Sequence, residues 1–570
     1  MTKRFVVAAK RADFQKLGQQ FSVDPVIARI IRNRDVIGEE EIRTYLYGGL
    51  EQLQDARIMK HMEQAAGILQ EKIMSGAAVR IIGDYDIDGV MATCILKKGL
   101  TILGGQVDTC LPDRIADGYG LNENLIRRAQ ADGIDTILTC DNGIAAGKEI
   151  QMAKELGMTV VVTDHHEVPY RMEGKEKISI IPPADAVVDP RQQDCPYPFK
   201  KLCGAAVAYK LMEVLFQDME REEEFPEEFL EFAAIATVGD VMDLQGENRI
   251  LVREGLKRIQ HSSNPGIRAL IRANGLEDRK ITAYHIGFVL GPCINASGRL
   301  DTAGHALELF LASPGDAPRL AGDLVAMNAS RKALTEQGVE QAVEKVEHSA
   351  LKEDRVLVVY LPDCHESLAG IIAGRLRERY YRPVFVLTKS EQGVKGSGRS
   401  IEGYSMYDEL NACGELLDKY GGHPMAAGLT LEEKKVELLR QRLNENCTLT
   451  EEEMSPKVVI DVPMPISYIT RPLIEELELL EPFGKGNSKP VFAQKGLRLL
   501  DCRVLGKNQN VVKMKVEDGQ GCCLEGIYFG ETSFVLDKAA SGEPVSVIYY
   551  PSVNSYQGRE TIQIVIQDIF

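Results

Sequence analysis

The chain has 570 residues, too many for one ordinary core, and at about 150 residues per domain it should hold roughly three to five domains. Its 67 basic and 84 acidic side chains leave a net charge of -17, which argues against a protein that coats nucleic acid with a basic surface. With 44% hydrophobic and 26% charged residues it is not a disordered chain, and no apolar run approaches the about 18 residues of a membrane span. The opening MTKRFVVAAKRADFQK lacks the apolar core of a secretory signal. Twelve cysteines without a C-x-x-C read as reduced thiols, so a cytoplasmic location is expected.

Residues 1–75 read as an N-terminal helical region, with DPVIARIIRNR from Asp24 at helical spacing and EEEIRTYL after it. From Val79 the pattern changes to strands (VRIIG, GGQVDTCL, DTILTC, MTVVVTD) alternating with helical stretches, which predicts a parallel sheet covered on both faces over residues 76–315. The later part of that region, from residue 204, reads as mostly helical. A long amphipathic helix is expected over 316–350, then a second α/β block over 351–450. EEEMSP reads as a linker, and residues 456–570 alternate in short strands with Gly/Asn turns, the pattern of a small β-barrel or sandwich.

Acidic and imidazole groups fall at the ends of three predicted strands: GDYDIDG (Asp84, Asp86, Asp88), CDNG (Asp141) and TDHH (Asp164, His165, His166). In an open parallel sheet such ends converge on one crevice. Carboxylates gathered there repel and raise each other's pKa unless a cation neutralises them. Hard oxygen donors with some imidazole suit Mn²⁺ or Mg²⁺. Asp86 and Asp88, two apart on an extended strand end, would point the same way and bind one ion or straddle two. Two ions about 3.5–4 Å apart would clamp a phosphoryl centre and activate a water. Asp240, in AAIATVGDVMDL, is a further carboxylate in apolar surroundings, with Asp243 and Asp189 as competitors. No P-loop, G-x-S-x-G or dinucleotide fingerprint follows any strand, which disfavours an ATPase, a serine hydrolase and a dehydrogenase.

The triplet at 164–166 and its companions resemble the DHH phosphoesterase superfamily, and more narrowly its bacterial single-strand-specific exonucleases. The resemblance runs through GDYDIDG, CDNG, TDHH, CPYPFKKLCGAAVAYKL, TVGDVMDLQGENR, GPCINASGRLDTA, GSGRS, GGHPMAAG and EPFGKGNSKPVF, in that order along almost the whole chain. It implies a parallel-sheet DHH domain, a DHH-associated substrate domain joined by a long helix, and a C-terminal OB-like β-barrel. It implies Asp86, Asp88, Asp141, His165 and Asp240 as metal ligands, with Asp84 close by, His166 at the scissile phosphate or the water, and Asp164 orienting the histidines. It implies Arg114, Asn295, Arg299, Ser397, Arg399 and His423 as phosphate and sugar contacts. The pattern departs in four places. Ile82 stands where relatives with small substrates carry a histidine, and Asp363-Cys364-His365-Glu366-Ser367 replaces Trp-His-Glu-Gly. Asp189 and Asp243 stand for the family's Asn and Pro.

The implied activity is 5′→3′ exonucleolytic cleavage of single-stranded DNA to 5′-mononucleotides in repair and recombination. It would need two Mn²⁺ or Mg²⁺ ions and act as a monomer, beside a helicase and a single-strand-binding protein. The alternatives are a phosphodiesterase for short oligonucleotides or cyclic dinucleotides, and a non-catalytic replication scaffold. The acidic total does not exclude DNA, because charge is unevenly spread. Residues 370–400 carry seven basic side chains against two acidic ones, whereas 215–231 carry eight acids against Arg221, expected on a solvated helical face.

Overall fold

The strand–helix alternation after residue 76 folds into a sheet whose burial explains its composition. In the computed structural model, which describes residues 3–114, 118, 120–174, 176–390, 393–506, 508–556 and 558–570, five strands lie parallel. Their order is Gln106–Cys110, Ala78–Ile82, Thr136–Cys140, Thr159–Thr163, Ala186–Val188. Every residue of Thr136–Cys140 is buried, as a sheet covered on both faces requires. Helix Ile87–Ile102 is apolar nearly all round because it is enclosed by this sheet and by helices Gly204–Asp218 and Glu228–Gly239. A Cβ at Gly99 would meet Met212 Sδ at 2.5 Å, so glycine permits that close helix packing.

The chain forms two units. The larger comprises Phe5–Gly291, Phe310–Pro314 and Val459–Phe570. The smaller comprises Met1–Arg4, Pro292–Leu309 and Gly315–Val458.

In the larger unit the N-terminal helices have no core of their own. Phe21, Ile27, Ile30, Ile31, Ile42 and Leu46 share one apolar cluster with Leu473, Leu477, Phe492, Val512, Val547 and Ile566 from the far end of the sequence. The helix start read at Asp24 is built as its chemistry dictates. The Asp24 carboxylate accepts from Val26 N at 2.8 Å, and Pro25 opens helix Pro25–Asn33. A short strand, Arg4–Val7, precedes the helices, so this region is not wholly helical. The C-terminal strands run Phe492–Leu505, Val511–Glu517, Cys523–Phe529, Arg559–Ile569, Val545–Tyr556, and the last pairs back onto the first. This closed ring is compatible with an OB-like fold.

In the smaller unit helix Ala317–Glu347 occupies the expected connecting segment. A mixed sheet follows, ordered Lys419–His423, Ala426–Leu431, Gly393–Arg399, Val384–Ser390, Leu357–Tyr360, with helix Ala369–Tyr380 packed on it.

The acidic stretch 215–231 is only partly a solvated face. Glu231 is buried and accepts from Ser262 Oγ. Glu228 pairs with Lys98 at 2.5 Å and accepts from Asn264 Nδ2 at 2.7 Å. Both carboxylates belong to helix Glu228–Gly239, whose apolar composition draws it into the interior.

Candidate metal centre

The order of the parallel sheet sets the carboxyl ends of Ala78–Ile82, Thr136–Cys140 and Thr159–Thr163 side by side. After Ile82 the chain turns at Gly83 and packs onto the helix that follows. A Cβ at Gly89 would lie 2.4 Å from Asp84 O, so only glycine allows the loop to lie there. Asp86 is the N-cap of helix Ile87–Ile102 and accepts from Asp88 N at 2.9 Å and Gly89 N at 3.3 Å.

Asp88 is already helical, so the two carboxylates do not extend side by side from a strand end. Asp86 caps the helix, while Asp88 belongs to its first turn. Asp88 is fully buried and accepts from Gly204 N at 2.6 Å and Ala205 N at 2.7 Å. It therefore sits at the positive ends of two helices at once. A Cβ on Gly204 would come within 2.7 Å of Asp141 Cβ, which explains the glycine at that helix start.

Asp141 has φ +60, an uncommon backbone for a non-glycine residue, and its N–H is held by Thr163 O at 3.1 Å. Its Oδ1 lies 3.0 Å from His165 Nε2. That nitrogen is also 3.5 Å from Asp88 Oδ2 and 3.9 Å from Asp240 Oδ2. Asp240 arrives from another element, as the C-cap of helix Glu228–Gly239. Asp164 faces away from this group. Its Oδ2 accepts from Ile144 N at 2.9 Å, and its Oδ1 accepts from the His165 and His166 amides and lies 2.7 Å from His166 Nδ1.

Three sets of ligand atoms lie within 4.8 Å of one another: Asp84, Asp86 and Asp141; Asp88, His165 and Asp240; Asp141, His165 and His166. Asp141 and His165 thus belong to two sets each. The electrostatics match a cation site. Burial, and then the neighbouring carboxylates, push Asp84 and Asp141 well above the carboxylate range. The same causes raise Asp86, and raise Asp240 to about 8. Among the described residues, Asp84 Oδ1 and His165 Nδ1 are buried without a hydrogen-bond partner. Oxygen-rich donors with one or two imidazoles, repelling one another and partly unsatisfied, fit Mn²⁺ or Mg²⁺.

The two histidines differ. Burial lowers the pKa of His165. Burial also opposes charge on His166, but the hydrogen bond and charge of Asp164 overcome it and raise that imidazole to about 9. Asp164 is correspondingly lowered, because its bond to His166 and both imidazoles outweigh its burial.

Of the competitors, Asp243 is spent on Lys201 at 2.6 Å and joins none of the three sets. Asp189, at the end of strand Ala186–Val188, is completely buried. Its Oδ1 accepts from Arg191 N at 2.7 Å, while Oδ2 has no hydrogen-bond partner among the described residues. Burial, then the charge of Asp164, raises it to about 7.

Arg114 lies over the Tyr85 ring at 4.8 Å, beside the first loop; residues 115–117 and 119 of that motif lie outside the described residues. The other substrate candidates belong to the smaller unit. Arg299 donates to Ser367 O at 3.2 Å, and Asn295 lies one helical turn before it. Arg399 donates to Ser397 Oγ at 3.2 Å, and both crowd Gly370, where a Cβ would meet them within 2.9 Å. His423 and Arg399 both pair with Ala426, so they share one row at the sheet's end. Among the basic residues of 370–400, Arg382 is used on the Lys352 and Asp354 carbonyls and Lys395 on Glu366. Of the aromatic side chains available in the C-terminal ring, Tyr549 is core and Phe529 is 59% exposed; the Tyr556 side chain lies outside the described residues.

The parallel sheet, the Asp-His-His turn and the carboxylates from neighbouring strand ends define a DHH-type phosphoesterase. The DHH family N-terminal domain model matches residues 78–237, the DHHA1 domain model 353–448 and the RecJ OB domain model 460–568. The single-stranded-DNA-specific exonuclease RecJ of Bacillus subtilis is 36% identical over 561 residues, covering 97% of this chain and 69% of that protein. RecJ of Escherichia coli is 34% identical over 571 residues, covering 96% of each. The chain therefore belongs to the RecJ family. The crystal structure of Thermus thermophilus RecJ in complex with Mn²⁺ superposes with a TM-score of 0.82 at 29% identity, covering 100% of this chain and 79% of that one.

Proposed function

We propose that this chain is a divalent-metal-dependent exonuclease that hydrolyses single-stranded DNA from the 5′ end to 5′-mononucleotides. The observation that carries the reading is the convergence of Asp84, Asp86, Asp88, Asp141, Asp240 and His165 in two linked donor sets beside an imidazole pinned by Asp164. Asp84, Asp86 and Asp141 would hold one ion, and Asp88, His165 and Asp240 the other. When bound, the ions neutralise the carboxylates, acidify a water and draw charge from the phosphate oxygens. The chain's own residues do the rest. The Gly204 and Ala205 amides fix Asp88 in place. Asp164 holds the His166 ring through Nδ1, which would set Nε2 to meet a phosphate oxygen. Arg114, Asn295, Arg299, Ser397, Arg399 and His423 would receive phosphates and sugars of the strand.

The chain would divide into segments 1–75, 76–315, 316–350, 351–450 and 456–570, act as a monomer, and work beside a helicase and a single-strand-binding protein. A single-strand enzyme needs a source of single strand. The buried, mutually repelling carboxylates disfavour a scaffold, which gains nothing from them. The match to the RecJ OB domain disfavours a small-substrate phosphodiesterase. The test is digestion of long 5′- and 3′-labelled single strands with Mn²⁺. Early release of the 5′ label as mononucleotide is expected. Cleavage confined to short oligomers, or binding without cleavage, would overturn the reading.

A further inference from the structure

Of the three neighbouring strands that carry the metal centre, the middle one ends in a turn that does more than present Asp141. Strands Ala78–Ile82 and Thr136–Cys140 run side by side up to the pairing of Ile82 with Thr139. Beyond it the two segments part, one into the loop of Asp84 and Asp86, the other into Asp141. Asn142 lies across that fork, 0% exposed. Its Nδ2 donates to Ile82 O at 3.0 Å and to Cys140 O at 2.9 Å, one carbonyl from each strand end. The turn is shaped to place it there. Asp141 at φ +60 and Gly143 at φ +115, both left-handed, fold the chain back over the end of the sheet. A Cβ at Gly143 would meet Thr139 Oγ1 at 2.5 Å, so the turn closes down only on glycine.

The other side of the turn is tied separately. The Asp141 N–H donates to Thr163 O at 3.1 Å and the Ile144 N–H to Asp164 Oδ2 at 2.9 Å, which fixes the turn to the loop of the two histidines. Asp88 is held by the Gly204 and Ala205 amides, and Asp240 closes a helix of its own. Asn142 spans the remaining gap, between the strand that leads to Asp84 and the turn of Asp141. That gap is under load. Asp84, Asp86 and Asp141 bring their oxygens within 4.8 Å of one another, and like charges so close push their loops apart.

We infer that Asn142 is a positioning residue: its amide holds the strand leading to Asp84 and Asp86 against the turn of Asp141, and so keeps that donor set assembled, while the set of Asp88, His165 and Asp240 does not depend on it. A primary amide suits the task because its nitrogen carries two N–H groups, one for each carbonyl. A carboxylate at this position would face both carbonyls with oxygen, and an aliphatic side chain would leave both without this donor. The inference rests on the metal-dependent reading of the site and adds what holds one half of it together.

The test is calorimetric titration of the full chain with Mn²⁺, with Asn142→Leu set beside Asn487→Leu. Asn487 is as deeply buried, at 1% exposure, and its Nδ2 likewise bridges two carbonyls, those of Leu480 and Pro482, each at 2.8 Å. It belongs to none of the donor sets. Both substitutions should lower the melting temperature in EDTA. Asn142→Leu should bind one ion roughly ten- to hundredfold more weakly, the usual effect of removing a group that orients metal ligands, and the other within about threefold of wild type. Asn487→Leu should bind both ions as the wild type does. Wild-type affinity for both ions in Asn142→Leu would overturn the inference. So would an equal loss of both, or the same one-ion loss in Asn487→Leu, since a general loosening of the fold would explain either. If Asn142→Leu does not fold, Asn142→Ser, smaller and with one donor left, is titrated in its place under the same criteria. A wild type that binds both ions but releases no nucleotides would overturn the nuclease reading and leave the inference standing.

Discussion

Two groups of buried charge in the larger unit are treated in opposite ways. Around Glu247 and Arg249 every charge is answered from within the chain. Glu247 accepts from Tyr197 Oη at 2.6 Å and from the Gln54 amide, with Lys210 Nζ 3.7 Å away. Arg249 donates to the carbonyls of Tyr45, Leu479 and Leu480 at 2.9, 2.8 and 3.0 Å, and lies over the Tyr45 ring. At the strand ends, by contrast, carboxylate faces carboxylate, and Asp84, Asp86, Asp141 and Asp240 are all raised. The first group is a bolt between segments. The second is a site, because its deficit is met only by something the chain does not supply. Burial of charge does not distinguish structure from function here; the sign balance does.

The contrast can be broken at four points, from the largest effect down. His166→Ala should cut nucleotide release by roughly 10²–10⁴-fold, the usual range for a positioned acid–base group, with unfolding little changed. Steady-state rates within threefold of wild type would remove His166 from the mechanism.

Arg249→Met leaves three carbonyls without their donor. It should cost about 3 kcal/mol or more in a urea titration without touching metal affinity. An unmoved midpoint would show that the bolt is ornamental.

Mn²⁺ at a hundred times its Kd should stabilise the wild type by about 2.7 kcal/mol for each ion bound, over the EDTA-treated protein. Asp141→Asn should lose the gain from the ion it helps to hold and yet melt above the wild type in EDTA, since one repelling charge is gone. A variant less stable than wild type in EDTA would contradict the repulsion argument.

A further effect is pH-dependent and concerns Asp189. Its folded pKa is raised to about 7, above the ordinary 3.8, by burial and then by Asp164. Its protonation therefore supports the fold fully below the ordinary value, and that support is lost as pH rises through about 7. In EDTA, the stability of Asp189→Asn relative to wild type should grow between pH 4 and pH 7 and then level. Parallel pH curves would mean the carboxyl titrates normally.

The strand-end carboxylates were legible because a parallel sheet brings like ends together, so Asp84, Asp141 and His165 needed only the strand assignments. The clamp on Asp88 was not. Its partners are the amides of Gly204 and Ala205, 116 and 117 residues away, and no side chain announces a backbone donor. The only signal was a run of small residues, CGAA, opening a helix. Asp86 and Asp88 were misplaced on a strand because spacing alone does not say where a strand yields to a helix; the Asp86 cap does. Glu228 and Glu231 looked solvated because local charge does not reveal Lys98 or Ser262, which meet them from distant segments.

The apolar cluster shared by the first and last segments has a consequence in time. Ile27, Ile31 and Leu46 are made early, but Phe492, Val512 and Ile566, against which they pack, are made more than 400 residues later. At about 5–20 residues per second, the nascent helices wait on the order of 20–100 s with their apolar faces uncovered. A chain halted after the smaller unit would carry that unpaired surface permanently. Such truncated products should be captured by chaperones or precipitate, even though the metal-binding sheet they contain is complete.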